Sequence, residues 1–181
     1  MISAALSVLK TDAQRKIVND LYKEYKNRFY HIAYSRLKNT HDAEDAIEEA
    51  FLRIAKRPEF FFKIPDHKKA AYIDVIIRNV SVDMLKKRQK DLCIEPENKM
   101  LSEDVSVENT AIGNISKDEL TAFIQTLSEA QKQVIYLKIE FQMTSRQIAE
   151  ALEISETAVR KRLSEAGKTI KKFVKEENEN E

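Results

Sequence analysis

The sequence has only two glycines, Gly113 and Gly167, and they lie far apart. A phosphate-binding loop of the dinucleotide-binding or P-loop type needs glycines close together, so nucleotide enzymes of those kinds are excluded. Proline is also scarce, with three residues in 181, whereas Lys, Glu, Ile, Leu and Ala are abundant. Scarce glycine and proline disfavour turn-dense sandwiches and barrels, and the abundant residues favour helices. The composition predicts an all-α protein.

The chain has one cysteine, Cys93, which excludes an internal disulfide and a thiolate metal cluster. The three histidines have no i,i+4 pairing and no acidic partner at a metal-ligand spacing, so we expect no metal and no cofactor. No run of about 18 apolar residues occurs, and residues 1–9 are too short for a secretory signal. These absences predict a cytoplasmic protein without membrane contact of its own.

The net charge of +1 conceals a segregated distribution of charge. The charged groups are, in chain order, an acidic cluster at 42–49, a basic cluster at 78–90, an acidic stretch at 91–119, a basic cluster at 160–175 and an acidic tail at 176–181. Two basic segments separated by acidic sequence indicate two contacts with one polyanion.

Three stripes of apolar residues at helical spacing predict a three-helix core in a first domain over residues 13–90. The stripes are Ile17, Leu21, Tyr25, Phe29, Ile32 and Ala33, then Ala43, Ala46, Ile47, Ala50, Phe51 and Ile54, then Ile73, Ile76, Ile77, Val80 and Met84. Between the second and third helices, the two prolines of residues 57–69 predict a loop, or a short helix flanked by loops.

Residues 91–117 are acidic and contain Pro96, Gly113 and several Asn and Ser residues, which is typical of a flexible linker. The pattern also permits weak helix within it. A second helical domain is expected over residues 118–175, followed by a short acidic tail at 176–181. The second domain is expected to start with an amphipathic helix that carries Leu120, Phe123, Ile124 and Leu127.

Hydroxyl residues in the second domain stand at positions typical of helix N-caps. Ser128 with Gln131 and Thr144 with Gln147 have the capping-box spacing, and Ser155 is the next candidate. A short turn at 153–154 separates the last two predicted helices. This order of elements predicts a helix-turn-helix, whose second helix lies in the DNA major groove.

If Val159, Leu163, Ala166 and Ile170 are buried, the second helix of this motif presents polar side chains suited to bases and phosphates. The alternative is an ordinary cationic helix packed on a bundle. The candidate DNA-binding residues are Ser155, Glu156, Thr157, Arg160, Lys161, Arg162, Ser164 and Lys168.

The third helix of the first domain is expected to carry polar residues along one outward side, where Asn reads a base edge and Lys binds phosphate. These candidates are Asn79, Asp83, Lys86, Lys87 and Lys90. The alternative is that the C-terminal lysines merely complement the helix dipole, which explains Lys86 and Lys87 but not Asn79.

The second helix is predicted to present an acidic patch with one large aliphatic residue, made of Asp45, Glu48, Glu49 and Leu52. Such a patch repels DNA, so a basic protein partner fits it, with Leu52 as the anchor. The alternative is a solvated acidic face. The aromatic residues Phe60, Phe61, Phe62 and Tyr72 are either buried or available to stack on unpaired bases.

Taken together and in order, these motifs resemble the extracytoplasmic-function (ECF) class of bacterial sigma factors, within the sigma-70 family. DAEDAIEEAFLR at 42–53 is similar to the region 2 segment that binds the clamp helices of the largest polymerase subunit. YIDVIIRNVSVDMLKKR at 72–88 is similar to the segment that opens and reads the minus-10 element. Three segments of the second domain resemble region 4, which reads the minus-35 element. They are LSEAQ at 127–131, TSRQIA at 144–149 and SETAVRKRL at 155–163.

The resemblance implies a region 2 domain at 13–90 and a region 4 domain at 118–175. It implies a binding protein that joins core RNA polymerase, contacts promoter DNA twice and captures flipped bases near residues 62–69, at a cost of a few kcal/mol per unstacked step. It also implies an anti-sigma factor as a partner. Four residues depart from the usual family pattern, namely Glu48, Tyr72, Ala158 and Glu165.

Two other functions are weighed against this one. A helix-turn-helix regulator acting without polymerase leaves the acidic patch unexplained. A sigma-like decoy that titrates an anti-sigma factor does not need Asn79 or the cationic last helix. No nucleophile, base and orienting group can be nominated together, so we expect no enzymatic activity.

Overall fold

The computed structural model describes residues 2–91 and 126–178, and the side chains of 2–89 and 126–170. The chain divides into two compact units, one within residues 1–96 and the other within 97–181. Within the described ranges every regular element is a helix, which confirms the all-α prediction. The predicted linker core at 92–117, the helix at 118–125 and residues 179–181 of the tail lie outside the described residues.

The first unit contains five helices, α1 (Ser3–Val8), α2 (Asp12–Leu37), α3 (Thr40–Lys56), α4 (Pro58–Phe61) and α5 (Asp66–Asp91). Its core lies where α2, α3 and α5 meet, and the rings of Phe29 and Phe51 pack there with centroids 5.7 Å apart. The second stripe is wholly buried, and the third is buried from Ile73 to Val80. The predicted three-helix core is confirmed.

Hydrogen bonds to nearby residues cap the ends of these helices. The Thr11 hydroxyl accepts from the amide of Gln14 at the start of α2. Lys38 adopts a left-handed conformation after the end of α2, with φ of 51°, and its N–H donates to the carbonyl of Tyr34. The Asn39 side chain then accepts from the amide of Asp42 and caps α3. Two long helices are thereby joined by a turn of two residues.

The predicted stripe of α2 is partly wrong. Ile17 is 37% exposed, whereas its neighbour Val18 is buried in the core. At 3.6 residues per turn, Val18 lies about 20° from Phe29 around the helix axis, and Ile17 lies about 120° from it. The phase set by Phe29, Ala33 and Leu37 therefore selects Val18.

The first unit starts earlier than residue 13, because α1 packs against α3. Ile2, Ala5 and Leu9 are buried. Arg15 of α2 holds this segment by donating to the carbonyls of Leu6, at 3.3 Å, and Leu9, at 2.8 Å. A helix of six residues has too little periodicity to be recognised from sequence, and only its tertiary contacts stabilise it.

The second unit contains α6 (Glu129–Glu140), α7 (Ser145–Leu152) and α8 (Glu156–Asn178). Ser128 and Thr144 each form a complete capping box, and the Ser155 hydroxyl accepts from the amide of Ala158 at 3.1 Å. The three predicted helix starts are confirmed. Glu153 ends α7 with φ of 52°, so the chain turns directly into α8. The predicted helix-turn-helix is present.

The core of the second unit includes Leu137, Ile148, Leu152, Val159 and Ala166. The prediction that Ile170 is buried is wrong, because its side chain is 39% exposed. At 1.5 Å per residue α8 is about 34 Å long and α6 only about 18 Å, so the later turns of α8 extend past the helices that cover its start.

Candidate protein-binding and nucleic-acid interfaces

The predicted acidic patch forms one continuous face of α3. Asp45 is exposed, and Glu48, Glu49 and Leu52 are partly exposed. Their spacing of three and four residues places them above one another, opposite the buried side that packs on α1, α2 and α5. We call Asp45, Glu48, Glu49 and Leu52 the acidic face.

Arg53, which sequence reasoning missed, connects this face to α5. Its Nε donates to Oε1 of Glu49 at 2.9 Å, and its Nη1 lies 3.4 Å from Oδ2 of Asp83. The Arg53 side chain is only 14% exposed, and a guanidinium so far removed from water requires such partners. The i,i+4 spacing to Glu49 was visible in the sequence, whereas the contact with Asp83 depends on how the helices pack.

The prediction that Asn79 lies on the outward side of its helix is wrong. Its side chain is 6% exposed, and its Nδ2 donates to Oδ2 of Asp83 at 3.1 Å. Both α2 and α3 pack on α5, so the buried arc of α5 is wider than its apolar stripe. Lys86 and Lys87 are exposed as predicted. The side chain of Lys90 lies outside the described residues.

The acidic and basic clusters of the first unit contact each other. Nη1 of Arg88 lies 2.7 Å from Oδ2 of Asp42, which joins the later part of α5 to the first turn of α3. Acidic and basic residues that lie in separate clusters along the chain are therefore partly paired between helices. Lys86 and Lys87 stay exposed to solvent.

Four aromatic residues lie just before α5 or in its first turns, and two of them are buried. Phe61 and Tyr72 belong to the core, whereas Phe60 and Phe62 are partly exposed. The rings of Phe60 and Tyr72 are 5.8 Å apart, and those of Phe61 and Phe62 are 5.3 Å apart. Burial raises the pKa of Tyr72. Of these four rings, Phe60 and Phe62 are the two with exposed surface.

A buried carboxylate lies in the interface between α2 and α5. Asp74 is 6% exposed and pairs with the guanidinium of Arg28, while its Oδ1 is buried without a hydrogen-bond partner. Burial raises the pKa of Asp74, and the charge of Arg28 opposes that rise. Because one carboxylate oxygen has no hydrogen-bond partner, the carboxylate depends on the positive charges of Arg28 and, to a smaller extent, Arg78.

The first turns of α8 present a polar surface that agrees with most of the predicted set. Arg160 pairs with Glu156 at 2.6 Å and Lys161 with Glu165 at 3.9 Å, and both cations remain highly exposed. Ser155 is exposed and caps the helix through its hydroxyl. Glu156 and Arg162 are half-buried, and the remaining predicted residues are exposed, namely Thr157, Ser164 and Lys168.

Among the described residues, no three His, Cys, Asp or Glu side chains converge as metal ligands. Over the same ranges, no helix is both long and apolar enough to cross a membrane.

Two family models match this chain, and together they span both units. The Sigma-70 region 2 model matches residues 21–91. The Sigma-70 region 4 model matches residues 117–170. The first covers the acidic face and most of α5, and the second covers the helix-turn-helix.

Individual proteins are similar over nearly the whole chain. The ECF RNA polymerase sigma factor SigW of Bacillus subtilis is 23% identical over 167 residues, which cover 87% of this chain and 88% of that protein. SigM of the same organism is 23% identical over 155 residues, covering 85% and 93%. A co-crystal structure of the sigma factor RpoE with the anti-sigma factor NepR, from Bartonella quintana, aligns with 18% identity and a TM-score of 0.42, covering 86% of this chain and 97% of that one. The chain belongs to the sigma-70 family and is an RNA polymerase sigma factor of the ECF class.

Proposed function

We propose that the acidic face binds the clamp helices of the largest subunit of core RNA polymerase. The observation that carries this assignment is the arrangement of Asp45, Glu48 and Glu49 around Leu52 on one solvent-facing side of α3. Three carboxylates there repel phosphate, so the complementary partner is a basic protein surface, and Leu52 supplies an apolar anchor.

Promoter DNA is the proposed partner of α5 and of the segment before it. Lys86 and Lys87 are exposed and bind phosphates without sequence preference. Phe60 and Phe62 present partly exposed rings on which an unpaired base stacks. Asp83 is partly exposed and can act on the opened minus-10 element directly, whereas Asn79 is buried beside it, so a contribution from Asn79 depends on a rearrangement of that contact.

The proposed reader of the minus-35 element is α8. Thr157, Arg160, Lys161 and Ser164 are exposed on its first turns, which is the part of a recognition helix that contacts base edges. Lys168 lies two turns further on and binds the phosphate backbone. Arg162 is half-buried and shares the phosphate role.

Run-off transcription tests this function. Purified core polymerase and the purified chain are incubated with genomic fragments, and transcripts are mapped. We expect discrete start sites that require both components. If the chain binds DNA but no transcript depends on it, the chain acts as a helix-turn-helix regulator instead.

An anti-sigma factor remains a proposed partner. An inhibitor that prevents polymerase binding has to cover the acidic face or block access to it. Competition between core polymerase and a candidate inhibitor for a labelled chain tests this, and simultaneous binding of both would contradict it.

A further inference from the structure

Two tyrosines of α2 form an exposed aromatic pair. The rings of Tyr30 and Tyr34 are stacked, with centroids 5.6 Å apart and an angle of 16° between their planes. Tyr34 is 40% exposed, more than any other aromatic residue whose side chain is described. A ring left open to water adds little to the core, whereas tyrosine is enriched where proteins bind each other. The pair is therefore available to a partner.

The tyrosine pair lies beside the start of α3 and is connected to the acidic face. The hydroxyl oxygens of Tyr30 and Thr40 are 3.4 Å apart. Thr40, Glu44 and Glu48 follow one another at intervals of four residues, so they are neighbours along one side of α3. The pKa of Tyr22 on α2 is raised by burial and, to a smaller extent, by the charge of Glu44, so the carboxylate of Glu44 is close to α2. A line of side chains thus joins the tyrosine pair to the acidic face.

The carboxylates along this line lack cations. Two of the five acidic residues at 42–49 are paired with arginines. Within the part of the chain that the structure describes, the other three, Glu44, Asp45 and Glu48, form no ion pair. Glu44 and Glu48 are four residues apart, and like charges at this spacing destabilise a helix. A cation supplied by a partner relieves this repulsion, whereas a phosphate group would increase it.

We propose that Tyr30, Tyr34 and Glu44 bind the side chain of an arginine of core RNA polymerase. The inference rests on the proposed function of the acidic face, and it extends that surface onto α2. The guanidinium stacks on the exposed face of the Tyr34 ring and donates from its edge to the carboxylate of Glu44. Over the four residues from Thr40 to Glu44, α3 rises only about 6 Å, so one arginine side chain reaches both the ring pair and the carboxylate.

Arginine fits these groups better than other residue types do. Its planar guanidinium stacks on a ring while its N–H groups stay free for a carboxylate, and it is more weakly hydrated than the ammonium of lysine. An apolar partner residue would remove Glu44 from water without supplying a cation, which is unfavourable.

Titration of the labelled full chain with purified core polymerase tests the ring. Tyr34→Leu should bind about threefold to tenfold more weakly, because leucine keeps an apolar surface but has no π face. Tyr34→Phe keeps the ring and should bind with nearly the wild-type affinity. Ile17→Ala is the control and should also bind like the wild type, since Ile17 is an exposed apolar residue of the same helix. Equal affinities of Tyr34→Leu and the wild type would overturn the proposal.

Fluorination of the ring separates a contact with a cation from an apolar contact. Fluorine withdraws electron density from the face of the ring and nearly preserves its shape, so it weakens the attraction to a cation. Tyr34→Phe and its difluorinated and pentafluorinated forms should therefore bind core polymerase progressively more weakly. Constant or rising affinity along this series would overturn the proposal, because an apolar contact would then explain the role of the ring. Thermal melting shows that each variant is folded.

Glu44→Gln tests whether one side chain contacts both groups. If one arginine binds Tyr34 and Glu44, the loss caused by Tyr34→Leu should be at least about twofold smaller in the Glu44→Gln background than in the wild type. Losses that simply multiply would overturn the proposal, because two separate contacts would then explain them.

Charge reversal on the acidic face distinguishes failure of this inference from failure of the proposed function. Asp45→Arg combined with Glu48→Arg is titrated alongside the Tyr34 variants. If that double variant loses binding while the Tyr34 variants bind like the wild type, the arginine site is rejected and the proposed function stands. If the double variant also binds like the wild type, both are rejected.

Discussion

Arg88 and Asp42 form an ion pair, with 2.7 Å between Nη1 and Oδ2, although 46 residues separate them along the chain. The pair ties the later part of the proposed promoter-binding helix to the first turn of the proposed polymerase-binding helix. Together with the contact between Arg53 and Asp83, it makes the two helices one unit on which both interfaces depend.

Reversing charge on the acidic face should abolish binding to core polymerase. Asp45→Arg combined with Glu48→Arg places like charges against a basic partner, at a cost of several kcal/mol. Neither residue is in the core, so the melting temperature should stay close to that of the wild type. Titration with labelled core polymerase measures the loss. The control is Asp20→Arg combined with Glu24→Arg, which makes the same charge change at exposed positions of α2. Unchanged affinity of the Asp45 and Glu48 variant for core polymerase would contradict the assignment.

Asn79→Ala should impair initiation on a duplex promoter several-fold more than on a template that carries a premelted bubble with altered minus-10 bases. The amide of Asn79 is proposed to recognise the opened minus-10 element, and a premelted bubble with altered bases removes both the opening step and that recognition. Ser81→Ala is the matched control, since Ser81 is also a buried polar residue of α5 and its hydroxyl donates to the carbonyl of Ile77 within the same helix. Equal losses on the two templates would indicate a general folding or assembly defect instead.

Arg160→Ala should cost about 1 to 3 kcal/mol at one base position of the minus-35 element and relax the preference there. In the proposed complex, Arg160 leaves its partner Glu156 and contacts the base edge. Lys168→Ala should weaken all promoters similarly and lower the magnitude of the salt slope by about one. A library of minus-35 variants assayed with each protein distinguishes these effects. If Arg160→Ala lowers binding uniformly, Lys161 or Ser164 takes the base-reading role.

The pair of Arg28 and Asp74 predicts a pH-dependent stability. The pKa of Asp74 is raised above its ordinary value of 3.8, chiefly by burial, so the folded state holds this proton more tightly than the unfolded state does. As the pH rises through the raised pKa, the buried carboxyl group has to ionise in the folded state, so the free energy of unfolding falls. The positive charge of Arg28 reduces that loss. Arg28→Ala should destabilise the first unit by roughly 1 to 3 kcal/mol at about pH 7 and by less at about pH 5.

Urea denaturation at the two pH values measures this difference. In an Asp74→Asn background the effect of Arg28→Ala should become independent of pH, because the titrating carboxyl is gone. A pH dependence that survives in that background would assign it to another group.

The N-terminal helix should contribute to the stability of the first unit. Leu9, the residue that directly follows α1, is buried, so Leu9→Ala removes apolar contacts that hold this segment and should cost about 2 to 4 kcal/mol. Val8→Ala is the adjacent control, and its side chain is 43% exposed, so it should cost less than about 1 kcal/mol. Urea denaturation of both variants measures the change in the free energy of unfolding. Equally small losses for the two variants would show that α1 contributes little to stability.

Sequence by itself determined the elements whose signals are local. Capping hydroxyls at Ser128, Thr144 and Ser155 set the helix starts of the second unit, since their partners lie three residues away. The stripes from Ala43 to Ile54 and from Ile73 to Val80 identified the buried sides of α3 and α5. The exposure of the acidic face followed from the same periodicity.

Tertiary structure alone decided what depends on the meeting of distant segments. The burial of Asn79, the position of Arg53 between Glu49 and Asp83, and the packing of α1 on α3 all arise from contacts between helices. Helical periodicity says which residues share a side of one helix, but it does not say how many neighbours cover that side. A second covering helix turned Asn79 from a predicted surface residue into a buried one, because side-chain burial depends on all the helices that pack there.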